Sequence, residues 1–116
     1  MSMKKDKACL QDMLDAICDI EKFTENITQN EFYKNKEKQY AVLRALEIIG
    51  EATKKLSKEL KVKHREISWR EIVGMRDKLI HNYFGVNIDV VWNTVKQDIP
   101  TLEVKVRKII KELDSS

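Results

Sequence analysis

The sequence contains little glycine and proline, with three glycines and one proline in 116 residues. All-β sandwiches and barrels need many tight turns, and these two residues make most of them, so their scarcity argues against those folds. Aromatic residues are also few, at 7%. Lysine, glutamate, leucine, isoleucine and alanine are plentiful instead, and all but isoleucine are strong helix formers. The composition therefore predicts an all-α protein.

The sequence also lacks a long apolar run. No stretch approaches the ~20 residues needed to cross a bilayer, and the first residues, MSMKKDKACLQDM, contain no apolar segment typical of a secretory signal. We therefore expect a cytoplasmic protein with no membrane association. Cys9 and Cys18 are nine residues apart, which on a helix puts them on opposite sides, beyond reach of a disulfide. No metal-ligand spacing occurs, so neither a metal nor another cofactor is predicted.

Neither sign of charge dominates, since the net charge is only +3. Any attraction to phosphate must come from local clustering and not from an overall basic field. Hydrophobic residues make up 42% and charged residues 35%, which suits one core under a solvated surface. At this length we expect a single domain, residues 1–116.

Apolar residues at helical spacing predict a first helix from about Lys5 to the Thr24 region. Thr28 and Glu31 have the form of a capping box, which predicts a short helical turn. The longest periodic segment runs from about Lys36 to His64 and should be one central helix. Its last third is basic, which is typical of a solvated face but would also allow phosphate contacts; its basic residues are Lys54, Lys55, Lys58, Lys61, Lys63, His64 and Arg65.

The second half of the chain predicts further helices. Ser68 and Glu71 form a second capping-box pattern, so a third helix should run from near Trp69 to about Gly85. Asn87 can cap a fourth helix. A proline at position 100 then interrupts, followed by a fifth helical piece or a kinked extension. The sum is a four- to five-helix up-and-down bundle.

Arg76 interrupts the apolar stripe of the third helix. Positions 69, 72, 73, 76, 79, 80 and 83 share one face and read Trp, Ile, Val, Arg, Leu, Ile and Tyr. A buried guanidinium without a partner costs several kcal/mol, so the site must supply one. Glu47 or Glu51 on the central helix could pair with it, or the guanidinium could line a cleft and hold a phosphate. The two roles are compatible.

His81 and Tyr83 add chemistry to the same helix. His81 is five residues after Arg76, about 140° around the helix, at the edge of the stripe, while Tyr83 returns to the face of Arg76. The sequence has no glycine-rich phosphate loop and no serine or cysteine nucleophile coupled to a base. RNA, however, carries its own nucleophile in the 2′-hydroxyl. A histidine that moves protons and an arginine that stabilises phosphoryl charge would be sufficient to cleave it without a metal.

Such a reaction usually needs both an acid and a base, and the chain has one other histidine, His64, on a different predicted helix. A symmetric dimer joining two copies of the third helix would bring two Arg76 and two His81 side chains into one cleft. We therefore predict a homodimer with its site at the seam.

Three runs carry a family resemblance: ALEIIGEATKKLS, ISWREIVGMRDKLIHNYFGVNIDVVW and DIPTL. They resemble the HepT-like toxins of the HEPN superfamily from about Met13 to Leu113, with order and spacing preserved. The superfamily signature, arginine, a polar residue, three further positions and histidine, is matched by Arg76, Asp77 and His81. The tyrosine two residues later in HepT-like toxins is matched by Tyr83.

The resemblance implies a dimeric, metal-independent endoribonuclease, the toxin of a prokaryotic toxin-antitoxin pair of type VII-like organisation, with Arg76 and His81 as its catalytic residues. It also implies that a minimal nucleotidyltransferase antitoxin adds AMP to Tyr83, so that the added phosphate occupies Arg76 and excludes RNA. Many ribonuclease members carry asparagine where this chain has Asp77. That carboxylate can bind His81 one turn away or repel substrate phosphate.

Two other hypotheses remain open. The chain could be a non-catalytic helical partner of a nucleotidyltransferase that binds nucleotide or RNA without cutting it, because some HEPN proteins are binding modules. It could also be a structural bundle in which Arg76 only completes a buried ion pair.

Overall fold

The computed structural model describes residues 2–81 and 87–115, with the backbone alone for residues 2 and 76–81. The described residues outside the turns are helical, as the sequence predicts. Their α-helices, in chain order, are α1 (Ser2–Thr24), α2 (Gln29–Lys34), α3 (Lys36–Lys55), α4 (Lys58–Lys63), α5 (Trp69–His81), α6 (Ile88–Asn93) and α7 (Ile99–Asp114). A single π-helical turn, Thr94–Asp98, joins the last two.

The long helices form the predicted bundle. Helix α1 packs against both α3 and α7, α5 packs on α3, and α5 faces the beginning of α7 across a groove, so the four long helices surround one core. The core residues with the least exposure are Phe32, Leu10, Met13, Ile17, Ile20, Leu46, Ile49, Ile99, Ile109, Val42, Val106 and Thr53. None of the helices in the described ranges is both long enough and apolar enough to span a bilayer.

Short caps fix the first connections. After α1, Asn26 adopts a φ of 59°, a left-handed conformation that asparagine tolerates and that commonly follows a helix end. The predicted capping box is confirmed: the Thr28 hydroxyl accepts from the Glu31 amide at 3.1 Å, and the Glu31 carboxylate accepts from the Thr28 amide at 3.1 Å. Asn35 then caps α3 by accepting from the Lys38 amide.

The prediction of one uninterrupted helix from Lys36 to His64 was wrong. Helix α3 ends at Lys55, and Leu56 and Ser57 are extended, with ψ of 144° and 152°. The Ser57 hydroxyl caps α4 by accepting from the Leu60 amide at 3.2 Å, and the buried Asp6 carboxylate binds Ser57 from α1. A tertiary contact with Asp6, near the start of the chain, therefore stabilises the break between α3 and α4.

The last predicted helices are confirmed as one continuous helical segment. The Asn87 side chain caps α6 by accepting from the Asp89 amide at 2.9 Å. The π-helical turn follows, and Pro100 lies in the first turn of α7, immediately after the change of helix type. The predicted interruption at Pro100 is thus a change of helix type and not a gap. Residues 82–86, the predicted end of the third helix, lie outside the described part.

Candidate active site

The beginning of α5 is anchored to the turn that precedes it. The His64 carbonyl accepts from the Trp69 indole Nε1 at 3.0 Å and from the Ile67 amide at 3.1 Å. The Ser68 carbonyl accepts the first helical bonds, from the amides of Glu71 and Ile72. The predicted start at Trp69 is confirmed, while capping by the Ser68 side chain stays a prediction. These bonds fix the direction in which α5 leaves the turn.

The apolar stripe predicted on α5 is present over its first two turns. Trp69 is buried at 8% exposure, and Ile72, Val73 and Met75 are half-buried. Trp69, Ile72 and Met75 pack against the hydrophobic core. Position 76 continues the helical register of this stripe, so Arg76 follows directly on a row of core-facing residues.

The predicted catalytic residues are carried by the second half of α5. The backbones of Arg76, Asp77 and His81 are helical, and their side chains lie outside the described part of the structure. Tyr83 lies outside it altogether. The roles predicted for these four residues therefore stay predictions, while the helix that carries the first three is established.

Helix α3 runs beside α5 and brings the two predicted acids with it. Lys54, at the end of α3, and Arg70, at the start of α5, line the same hollow, and the two helices pack together, so they run antiparallel. Going back along α3 from Lys54, one reaches Glu51 after three residues and Glu47 after seven. Going forward along α5 from Arg70 by the same numbers of residues, one reaches Val73 and Asp77, so Glu47 is the acid level with positions 76 and 77.

The two acids are both half-buried. The Glu47 carboxylate lies 3.5 Å from Nη1 of Arg44 on its own helix, so Glu47 already has a cationic partner. The predicted pairing of Arg76 with Glu47 or Glu51 involves a side chain outside the described part and stays a prediction.

The first turns of α5 separate two surfaces of opposite charge. On one side is an open hollow of about 510 Å³, lined by Lys54, Lys61, Trp69, Arg70, Val73 and Gly74; we call it the basic hollow. On the other is a groove of about 250 Å³ between α5 and the beginning of α7. Among the residues that the structure describes, its charged ones are Glu66, Glu71, Asp98 and Lys105, three acids and one base, and we call it the acidic groove. These charges favour phosphate in the basic hollow over the acidic groove.

His64, the C-cap residue of α4, lies beside two carboxylates. Its Nδ1 lies 3.4 Å from the Glu66 carboxylate and its Nε2 lies 3.6 Å from that of Glu112 on α7. The His64 side chain is 12% exposed and lies between the end of α4 and α7. It lines neither the basic hollow nor the acidic groove.

Comparison with known proteins assigns the family. The model of the family described as "Ribonuclease HepT-like" matches residues 13–109, which include α5 and all of the predicted site positions. This chain belongs to the HepT-like family.

Relatives of the HepT-like chain agree with this assignment. A protein of Thermococcus cleftensis named as a probable ribonuclease HepT is 52% identical over 90% of this chain and 96% of its own length. A protein of Methanocaldococcus jannaschii, provisionally named as an RNase, is 48% identical over 93% of this chain and 89% of its own. One from Caldanaerobacter subterraneus, named in the same provisional way, is 49% identical over 74% and 77%. No solved structure matches the chain significantly.

A second polar cluster of this HepT-like chain lies between α1 and α7, and spacing along the sequence did not indicate it. The Cys18 sulfur and carboxylate oxygens of Glu21 and Glu103 lie within 4.8 Å of one another. Arg107 binds Glu103 through Nε at 3.0 Å and Nη2 at 2.9 Å. Partial burial, a hydrogen bond with Glu103 and the charge of that carboxylate raise the pKa of Glu21. The cluster thus places two carboxyl groups side by side, one of them bound by an arginine.

The sequence analysis also missed the basic hollow as a unit. It singled out Lys54 and Lys61 in the basic run, and the structure adds Arg70 from α5 and the open surface of Gly74. Helical spacing on α5 was the available signal, since Arg70, Gly74, Asp77 and His81 are separated by four, three and four residues and share one side of the helix.

Proposed function

We propose that this HepT-like chain is a metal-independent endoribonuclease, the toxin of a toxin-antitoxin pair. The observation that carries the proposal is the match of the family's model across residues 13–109, which contain the Arg76 and His81 signature on an established helix. Its relatives, named as ribonucleases, support the same substrate class.

The proposed reaction uses the nucleophile of the RNA. The 2′-hydroxyl attacks the adjacent phosphorus, the bond to the 5′-oxygen of the next nucleotide breaks, and a 2′,3′-cyclic phosphate forms. His81 takes the proton from the hydroxyl or returns one to the leaving oxygen. Arg76 stabilises the charge on the non-bridging phosphoryl oxygens with its planar fork of donors.

The acids of α3 would support Arg76 from behind. The antiparallel packing of α3 and α5 supports an approach of Glu47, with Glu51 one turn away, to the region of Arg76. A carboxylate that binds one edge of the guanidinium leaves its other edge for a phosphate and reduces the cost of burying the charge. Asp77 is proposed to bind His81 one turn further on.

The second proton carrier is proposed to come from a second copy of the chain. His64 lies between two carboxylates and lines neither surface of α5, which supports the view that one chain supplies only one catalytic histidine. An isologous homodimer through α5 would place two Arg76 and two His81 in one RNA-sized cleft.

Regulation is proposed to act on Tyr83. A nucleotidyltransferase antitoxin would transfer AMP from ATP to the tyrosine hydroxyl, with release of pyrophosphate, and the new phosphodiester would occupy Arg76. Co-expression with such an enzyme should increase the intact mass of the wild type by whole AMP units and leave Tyr83→Phe unchanged. We also propose that the protein acts in the cytoplasm, as expected from the sequence.

The test of the proposed function is RNA cleavage in the presence of EDTA. Wild type should cut a labelled RNA and His81→Ala should not, while His64→Gln, which removes the other histidine, should keep cleavage. If neither wild type nor His81→Ala cuts RNA but both bind it equally, the nuclease proposal is wrong and the non-catalytic binding role is supported. If Arg76→Ala only unfolds the protein and wild type neither cuts nor binds RNA, Arg76 serves a structural ion pair.

A further inference from the structure

The basic hollow brings together cations from three helices. Lys54 comes from the end of α3, Lys61 from α4 and Arg70 from the first turn of α5. Lys54 and Arg70 are exposed and Lys61 is half-buried. Among the residues that the structure describes, none that lines the hollow is acidic. Three positive charges therefore line one hollow, although the net charge of the whole chain is only +3.

The floor of the hollow leaves room for a ligand. Trp69 is buried and its indole is fixed by the bond to the His64 carbonyl, so this part of the floor is rigid. Beside it, a Cβ built on Gly74 would meet no atom within 4 Å. No contact within the described chain therefore requires a glycine at position 74, although glycine in a helix is less stable than alanine by about 0.5–1 kcal/mol. The open surface lets a backbone phosphate approach the helix closely.

The hollow lies on the side of α5 where the register places His81. Gly74 and His81 are seven residues apart, two helical turns, which is about 10 Å along the axis. Arg70 is one further turn away. Asp77 lies between Gly74 and His81 on the same side, and its carboxylate is proposed to bind His81, so a polyanionic strand that crosses the position of His81 can continue over Gly74 to the three cations. The acidic groove on the other side of α5 would repel the same strand.

We propose that the basic hollow is a second RNA subsite, in which Lys54, Lys61 and Arg70 bind the phosphate backbone of the substrate a few nucleotides from the cut. This inference rests on the proposed ribonuclease function, since it takes RNA to be the ligand. The subsite contacts phosphates and not bases, so it contributes affinity and register without selecting a sequence. It also gives part of the basic run of α3 and α4 a function beyond a solvated face.

The experiment measures binding of a fluorescent single-stranded 12-mer RNA to the His81→Ala protein, which should not consume it. We expect Lys61→Gln combined with Arg70→Gln to weaken binding about tenfold. The slope of log affinity against log salt should become shallower by about 1.4, because two phosphate contacts are lost from a single strand. The matched control, Lys63→Gln with Arg65→Gln, makes the same charge change at exposed positions outside the hollow and should bind like its parent.

Gly74 provides a second pair of variants that separates charge from shape. Gly74→Glu and Gly74→Gln have similar size and helix propensity, and the exposed position accommodates both. Only the glutamate places a negative charge on the floor, so it should bind RNA more weakly than the glutamine variant and lose that difference at high salt.

The outcomes distinguish this subsite from the nuclease proposal. If wild type fails to cut RNA but the hollow variants still weaken binding as described, the subsite stands and the nuclease is wrong. If wild type cuts RNA and the hollow variants bind like the controls, the subsite is wrong and the nuclease stands. Loss of binding to an acidic partner protein, with RNA affinity unchanged, also overturns the RNA subsite.

Discussion

The Asp6 carboxylate on α1 binds both donors of Ser57, the backbone amide at 2.7 Å through Oδ1 and the hydroxyl at 2.5 Å through Oδ2. Asp6 is only 4% exposed, although it lies close to the start of the chain. Ser57 is the N-cap of α4, so this pair holds the junction between α3 and α4. That junction places Lys54 and Lys61 on the same hollow and turns the chain toward α5.

Replacing Asp6 with asparagine should destabilise the fold. Asparagine offers one acceptor where Ser57 presents two donors, so a buried donor loses its partner at a cost of about 1–3 kcal/mol. Urea denaturation measures the loss. Asp12→Asn, the same change at an exposed position of α1, should lie within about 0.5 kcal/mol of wild type. Equal destabilisation by both changes would show that the hydrogen bonds between Asp6 and Ser57 add no stability of their own.

Removing Phe32 should detach α2 from the bundle. Its ring is fully buried and its centroid lies 5.2 Å from that of Trp92 on α6. Phe32→Ala should cost about 3–5 kcal/mol. The neighbouring Tyr33, 38% exposed, bonds Gln29 through its hydroxyl, and Tyr33→Ala should cost less than about 1.5 kcal/mol. Thermal denaturation of both variants checks this, and a small loss for Phe32→Ala would contradict the packing role.

The cluster of Glu21, Glu103 and Arg107 makes stability depend on pH. The folded protein raises the pKa of Glu21 through partial burial and the neighbouring carboxylate of Glu103. The folded state thus holds this proton more tightly than the unfolded state, and stability falls as pH rises through the raised pKa. Glu21→Gln resembles the protonated form and should be more stable than wild type at neutral pH.

That gain should disappear below the ordinary pKa of 4.5, where Glu21 is protonated in both states. Urea midpoints measured from about pH 4 to pH 8 reveal the trend. Asp19→Asn, at an exposed position of the same helix, is the control for removing one negative charge. A gain of equal size at every pH for Glu21→Gln would contradict the raised pKa of Glu21.

The two cysteines should react at different rates. Burial, then the charges of Asp12 and Asp6, raise the pKa of the Cys9 thiol, which is only 6% exposed. Cys18 is half-buried, and neither forms a disulfide. In the native protein, iodoacetamide should modify Cys18 at least about tenfold faster, as peptide masses would show, because the thiolate is the reactive form. The rates should converge in urea, and equal native rates would contradict the burial of Cys9.

Local signals in the sequence predicted much of the fold. Thr28 with Glu31, and Asn87, bind neighbours within three residues, so the capping pattern contains the whole interaction. The stripe on α5 was predictable for the same reason, because helical spacing alone sets which residues share a face. The break after Lys55 was not, since it depends on Asp6, 51 residues away in sequence. Apolar spacing continues smoothly across that break and hides it.

In the candidate site, too, some features follow from one segment of the sequence and others depend on contacts between distant segments. Arg76 attracted attention because a charge within an apolar stripe violates the pattern of a buried face, and its role, like that of His81, stays a prediction. The basic hollow combines residues from three helices, and Arg70 looks like an ordinary exposed residue within its own segment. The partnership of Cys18 with Glu103 was hidden similarly, because α1 and α7 meet only in the folded bundle.

The most direct test of the central claim mixes wild type with the inactive His81→Ala variant. If one cleft at the dimer seam needs both His81 side chains, one as acid and one as base, a mixed dimer lacks one of them and should not cut RNA. When the two are co-refolded at equal amounts, a quarter of the dimers carry two intact chains, so the mixture should keep about a quarter of the cleavage of the same total amount of wild type. Cleavage at about half of that amount, although native mass measurement shows mixed dimers, would mean that each chain cuts RNA by itself and would contradict a site shared across the dimer seam.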